Sequence, residues 1–327
     1  MRAAGLLFLA LPLGLAALAG CLPEPGEPSS LVKSTRVLAV GSEPAEALPG
    51  QPVTLRLLLA DPAAFPPSAE DIEWAFCTAP KPSVDNNVIS DSCLSDGAEV
   101  VATGPGPVVA VLPADGCARF GPELPPARAG EPPARPREPD STGGYYQPVR
   151  ARVARQTAIG LVRIQCGLAG ATSELAGAYR ARYLPNHRPQ LLRIELSDAA
   201  DGRPLPADAL PGSRPVRLRA SFSADSAERF PVVAPELPTL PQTLIDQTES
   251  LQVAWFATFG SFELGHTMAP PGQTTVDNTW TLPPQPDPGT LEPGTLWPGM
   301  LWPGMLWIVL RDSRGGLDWM ELPVKVK

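Results

Sequence analysis

Histidine is almost missing from this 327-residue chain. Only His187 and His266 occur, and neither stands beside a cysteine. Imidazole-based metal sites and Ser–His or Cys–His nucleophile pairs therefore have little to draw on. Gly-x-Ser-x-Gly, His-Glu-x-x-His, a phosphate-cradling glycine loop and Gly-x-Gly-x-x-Gly are all lacking. Lysine is scarce and scattered along the sequence, and the net charge is −8. Nucleic acid requires clustered Lys and Arg that displace counterions, so it is set aside as a partner. No two of Cys77, Cys93, Cys117 and Cys166 lie two to four residues apart, as zinc ligands do. No metal and no cofactor is expected.

What is abundant is proline and glycine, 43 and 29 residues, which leave little room for uninterrupted helices. Yet 43% of the residues are hydrophobic, too many for a disordered chain. Short strands joined by Pro/Gly turns reconcile the two, and the length suffices for two domains with cores of their own.

The start reads Met1-Arg2, then an apolar run Ala3–Ala19 without an acid, closing on Leu18-Ala19-Gly20-Cys21. A basic start, an apolar middle and small residues before the cut make a secretory signal. Pro12 interrupts the run, which reaches only the lower limit of a bilayer span. The tetrapeptide resembles the lipobox of bacterial lipoproteins. That resemblance implies removal of residues 1–20, a lipid on Cys21 and a tether over 21–33, beginning Leu22-Pro-Glu-Pro-Gly-Glu-Pro-Ser-Ser30. It also implies the cell envelope as the location. Leu22 in place of an aspartate favours the outer membrane.

In an exported chain the four remaining cysteines suggest disulfides. Three pairings are open. Cys77–Cys93 with Cys117–Cys166 is preferred, because the first pair closes a short local loop.

An internal repeat divides the rest. Ala47-Leu-Pro-Gly-Gln-Pro-Val-Thr-Leu-Arg56 recurs as Ala209-Leu-Pro-Gly-Ser-Arg-Pro-Val-Arg-Leu-Arg219. Each copy follows a short alternating run, Arg36–Val40 or Leu192–Leu196. Each precedes a tryptophan strand, Ile72–Cys77 or Val253–Thr258. In Val216–Phe222, the residues Val216, Leu218, Ala220 and Phe222 share one face, as in a half-buried strand. Leu306–Arg311, the turn Asp312–Gly316 and alternating Met320 to Val326 predict a terminal hairpin. Tyr146–Val153, Ala158–Cys166 and Leu175–Tyr183 are expected as closing strands of the first domain. Trp255, Trp280, Trp307 and Trp319 are expected as core anchors of the second.

This order resembles the immunoglobulin-like β-sandwich modules of bacterial surface proteins, including the polycystic-kidney-disease type. The Cys…Trp…Cys pattern of true immunoglobulins is absent, since neither copy has a cysteine in its second strand. The expected fold is all-β: two tandem immunoglobulin-like antiparallel sandwiches after a lipoprotein signal peptide. The domains are expected at 34–185, with a proline-rich insertion at about 120–144, and at 188–327.

Two loops invite chemistry. Ser197-Asp-Ala-Ala-Asp-Gly202 and the stretch holding Asp85, Asp91 and Asp96 carry carboxylates, but too few alternating acids for calcium; polar turns explain them. Residues 288–307 are four tandem pentamers, Pro-Gly-Thr-Leu-Glu followed by three ending in Trp. A five-residue step suits neither helix nor strand, so only the last copy, ending at Trp307, is expected in a strand. Trp297 and Trp302 would then be available to a partner.

The expected function is a non-enzymatic binding or structural module. It is held to the membrane through Cys21 and meets a protein or glycan at the envelope. The alternatives are an accessory subunit of an envelope assembly, and a secreted hydrolase with an unrecognised carboxylate pair.

Overall fold

Strands whose alternate residues are apolar must bury one face against another sheet. The chain does so twice. The computed structural model describes residues 28–62, 71–80, 89–121, 144–153, 155–168, 171–234, 242–283 and 302–327. Cys21, Trp297, most of the proline-rich insertion and the pentamers ahead of Trp302 lie outside the described residues.

The first sandwich is built from β1 (Arg36–Glu43), β2 (Glu46–Ala47), β3 (Pro52–Ala60), β4 (Ile72–Cys77), β5 (Ala98–Gly104), β6 (Val108–Val111), a short α1 (Gly116–Phe120), β7 (Gly144–Val153) and β8 (Gln156–Gln165). Helix α2 (Ser173–Arg182) leads to the second sandwich. That comprises β9 (Leu191–Asp198), β10 (Pro215–Phe222), β11 (Arg229–Val233), β12 (Leu244–Thr248), β13 (Leu251–Ala257), β14 (Ser261–Phe262), β15 (His266–Met268), β16 (Thr275–Thr281), β17 (Trp302–Asp312) and β18 (Leu317–Val326). Sheet β1-β3-β6 faces β2-β8-β7-β4-β5 in the first, and β14-β16-β10-β9 faces β15-β13-β17-β18 in the second. Hairpin β11–β12 stands apart from both sheets. The fold is an immunoglobulin-like antiparallel sandwich, twice over.

The repeated Ala-Leu-Pro-Gly motif has one topological job in both copies. Glu46 and Ala47 pair in parallel with Arg163 and Ile164 of β8, the last strand of the first sandwich. Leu210 bridges in parallel to Val326 of β18, the last strand of the second. The motif is the corner where the first strand crosses to the opposite sheet and turns into the next. In the first copy Gly50 takes the left-handed conformation, φ +80°. In the second the extra residue Ser213 takes it instead, φ 59°.

The tryptophan strands fill the two cores. Trp74 and Phe76 lie among Val53, Leu55 and Ile164. Trp255 and Trp280 lie among Leu218, Phe222 and Ile308, and the Trp255 Nε1 donates to Thr267 Oγ1 at 3.0 Å. Val216, Leu218, Ala220 and Phe222 all face that core, as their alternation requires.

Several expectations need correction. Leu175–Tyr183 is not a closing strand but most of helix α2. Thr172 caps it by accepting from the Leu175 N–H, Glu174 sits in the first turn, and Arg180 and Arg182 in the last. Those end charges suit the helix dipole, and they outweighed an apparent alternation. β17 also begins earlier than the expected hairpin strand Leu306–Arg311, at Trp302, because β18 is long enough to pair Val326 with it. Within the last pentamer, Gly304 is required by close approach. A Cβ there would fall 2.1 Å from the Phe259 ring. Trp307 and Trp319 are not anchors of the second core; both belong to the cluster between the sandwiches, Trp307 fully buried and Trp319 partly so. Finally, Cys117 and Cys166 form a disulfide, whereas Cys77 and Cys93 are buried free thiols hydrogen-bonded to one another. Burial pushes both thiols up, so neither ionises readily.

Candidate functional site

The densest concentration of unusual side chains is the seam between the sandwiches. β17 reads Met305-Leu-Trp-Ile-Val-Leu310, apolar at every position. Alternation therefore buries both of its faces. Leu306, Ile308 and Leu310 enter the second core, while Met305, Trp307 and Val309 face the first sandwich. There they meet Val32, Ala39, Leu58 and Ala60, with Ala254 and Leu317 completing the cluster. The sheets close tightly at Gly41, where a Cβ would sit 2.7 Å from Leu317 Cδ1.

A buried polar cluster locks one end of this seam. Glu46 of β2 is fully buried, and its Oε2 accepts from Arg163 Nε at 3.2 Å and the Asn186 N–H at 2.8 Å. The Tyr183 hydroxyl donates to the same carboxylate at 2.6–2.7 Å. Arg314 reaches in from the β17–β18 turn. Its side chain is 2% exposed. Nε donates to Glu249, Nη2 to Glu228 at 2.6 Å and Nη1 to the Leu184 carbonyl at 3.1 Å. The guanidinium also stacks on Phe230, 4.6 Å from the ring centre. Tyr146 of β7 donates to the Arg314 carbonyl at 3.3 Å and accepts from Arg163 at 3.1 Å. The linker is therefore held from both sides and offers no hinge.

The turn itself is organised by Asp312, whose Oδ1 accepts the N–H groups of Arg314 and Gly316, each at 2.9 Å. Its other oxygen faces the Asn186 amide at 3.3 Å, and Asn186 Oδ1 has no partner. Burial, with the Glu249 carboxylate adding to it, pushes the Asp312 carboxyl up to about 7. A proton on Asp312 Oδ2 would satisfy Asn186 once that amide is turned over. Glu249 is raised in the same direction, first by burial. Burial first, and then Glu46 against the opposing pull of Arg163, holds the Tyr183 phenol at about 12, so it remains a donor.

This arrangement compensates charge rather than presenting it. Every acid of the cluster is matched by an arginine or by several N–H groups, which suits mechanical coupling and not proton transfer to a substrate. A second rim lies further along, where Arg56 stacks on Trp319 at 4.4 Å and Arg188 bridges Glu43 and Asp318, each at 3.5 Å.

Other sequence-derived candidates fall elsewhere. Asp198 accepts from the Ala200 N–H and Asp201 from the Arg203 N–H, so both carboxylates serve their own turn. A shallow depression of about 290 Å³ on the β9–β10 face has Glu195, Arg217 and Arg219 in its wall. There Glu195 is ion-paired to Arg193 at 3.1 Å, and Arg219 is paired in two-pronged fashion to Asp277. Cys117–Cys166 and the Cys77/Cys93 pair lie within the first sandwich, away from the seam. Trp302 contributes its backbone to the start of β17, beside the C-terminal strand. Glu46, Arg163, Glu249 and Arg314 carried no signal in sequence, because they converge from four distant segments. Only the unbroken apolar run of β17 hinted that a second face was covered.

No protein-family model and no curated protein matches the chain. Among solved structures it is similar to the Yersinia pseudotuberculosis adhesin InvE, at 8% identity and TM-score 0.21, over 88% of this chain and 58% of that one. It is also similar to the chicken CNTN1 FN1–FN3 domains, at 8% identity and TM-score 0.19, over 91% and 69%. Escherichia coli α-2-macroglobulin in its native conformation gives 12% identity and TM-score 0.23, over 90% and 17%. The chain thus spans little more than half of the adhesin. Likenesses this distant carry no argument about activity or partner, and the fold rests on the strand pairing above.

Two outcomes are expected at the seam. Arg314→Met leaves buried Glu249 and half-buried Glu228 without their cation and should cost about 3–5 kcal/mol in urea unfolding, with Glu249→Gln restoring part of the loss in the double variant. The second concerns pH. Asp312 has a folded value of about 7, above its ordinary value of 3.8. Its contribution to stability is therefore fully present below about pH 4 and is lost as pH rises towards 7. Asp312→Asn keeps the turn acceptor and should flatten this decline, measured as unfolding free energy between pH 5 and pH 8.

Proposed function

We propose that the protein is a lipid-anchored component of the cell envelope, most simply the outer membrane, whose fused sandwiches act as a rigid, non-enzymatic binding or structural module. The seam is the observation that carries this reading. A linker gripped by Tyr183, Asn186 and Arg314 and an apolar face between two sheets fix the relative placement of distant surfaces. Rigid placement serves presentation and spacing, because little ordering entropy remains to be lost when a partner docks.

The surface offered to a protein or glycan partner would include the outer face of β6. Val109 and Val111 are 68% and 59% exposed there, beyond the part of the sheet that the second sandwich covers. β6 itself is short, and β5 carries a register shift opposite Trp74 and Ala75, which discourages indiscriminate edge-to-edge pairing while leaving the valines bare. Trp297 and Trp302 of the pentamer segment would add apolar contact.

The test is cross-linking in intact envelopes followed by mass spectrometry, with the N-terminal peptide weighed in the same sample. A lipid-modified Cys21 and a reproducible partner, captured about tenfold less by Val109→Asp/Val111→Asp, is expected. An unmodified Cys21, or capture indifferent to those substitutions, overturns the reading.

A further inference from the structure

The tether does not join the molecule through the domain that follows it in sequence. The Ala257 N–H donates to the Ser30 carbonyl and the Val32 N–H to the Ala257 carbonyl, at 3.0 and 2.8 Å, and Leu31 bridges Ala257 in parallel. These residues take a place that β15 leaves open. β15 pairs with β13 from Gln252 to Ala254, and the Trp255 N–H still reaches the Gly265 carbonyl at 3.1 Å. Two residues on, the same edge of β13 is met by residues 30–32 instead. A piece of chain lying ahead of the first sandwich thus completes a sheet of the second.

That piece is also part of the seam. Val32 is fully buried in the cluster that holds Ala39, Leu58 and Ala60 of the first sandwich and Met305 and Trp307 of the second. Past Val32 the chain reverses into β1. Arg36 fastens this reversal by donating to the Ser29 carbonyl and lying over the Phe256 ring, 5.4 Å from its centre. Ala257 pairs with Leu306, whereas Leu251 pairs with Asp312 at the far end of the same ladder. Residues 29–36 therefore secure the end of the seam opposite the polar cluster of Glu46, Arg163 and Arg314.

The two ends differ in what acts on them. The polar cluster is built from side chains of distant segments, whereas residues 29–36 continue directly into the tether. Cys21 lies seven residues ahead of Pro28, at most about 25 Å of chain. A pull on it reaches residues 29–32 first. While these stay docked, the path from Cys21 to the C-terminal strand runs through β13, β17 and β18, neighbours in one sheet. Once they leave, it runs through the first sandwich and the linker.

We infer that residues 29–36 are a strap that closes one end of the seam and is released by tension on the tether, freeing Val32 from between the sandwiches while strand pairing within each sandwich persists. This deepens the anchored reading and rests on it for the source of the tension.

The experiment stretches the full chain, prepared without lipid, between a handle on the Cys21 thiol and one at the C terminus. Cys77 and Cys93 are fully buried and do not compete for the handle. Expected is a reversible lengthening of about 20 Å, the slack of residues 29–35, at forces below those that unfold either sandwich. Val32→Pro removes one of the two main-chain bonds together with the valine side chain, and should abolish the step. In that variant at rest the Ala257 amide should exchange with solvent about tenfold faster or more. The Thr258 amide, bonded to the Met305 carbonyl at 3.1 Å, should stay as slow as before, which shows that the sandwich is folded. Val32→Ala keeps both bonds and should keep the step at a lower force. No step ahead of sandwich unfolding, a step undiminished in Val32→Pro, or Ala257 exchange unchanged there overturns the inference. An unmodified Cys21 in the native N-terminal peptide overturns the anchored reading and leaves the step intact.

Discussion

A buried arginine from the last turn of the second domain, paired to two glutamates of its own domain and hydrogen-bonded to the linker, is the constraint on which this molecule depends. Arg314 cannot reach Glu249, Glu228 and the Leu184 carbonyl together unless the linker lies in one position. Glu46 cannot lose water unless Arg163, Tyr183 and the Asn186 N–H converge on it. Desolvating such charges is costly, and the sheet-on-sheet contact around Trp307 supplies the apolar burial that offsets it. The polar cluster in turn gives that contact one register. Apolar surfaces alone would tolerate sliding.

The same seam explains why two similar halves are not interchangeable. Both use the Ala-Leu-Pro-Gly corner to pair with their last strand, and both bury a tryptophan in a central strand, Trp74 in β4 and Trp255 in β13. Only the first half has a buried carboxylate at that corner, Glu46, and it is the second half whose strand β17 sends one face into its own core and the other into the seam. Duplication accounts for the shared parts. The differences are where one copy meets the other.

Much of the fold was readable because it is local. Alternation in Val216–Phe222, the tryptophan strands and the terminal hairpin follow from period-two burial and turn chemistry. The repeated Ala-Leu-Pro-Gly motif by itself marks the two equivalent corners. What sequence did not reveal is non-local. Arg314 in Asp312-Ser-Arg-Gly-Gly316 looks like an ordinary solvated turn residue, and nothing nearby says that Glu249 lies 65 positions away in chain but in contact. Trp307 alternates as a core residue should, yet its core is the seam. α2 was misread because Leu175, Tyr179 and Tyr183, spaced by four, share one face of a strand as well as of a helix, while the capping Thr172 and the basic last turn were the better signal.

The central claim is that the sandwiches form one cooperative body. Urea unfolding followed by two local probes decides it most directly. Fluorescence of a variant keeping Trp74 as its reporter reads the first sandwich, and one keeping Trp280 reads the second. The account predicts coincident transitions with the same midpoint. Two transitions separated along the denaturant axis would contradict it.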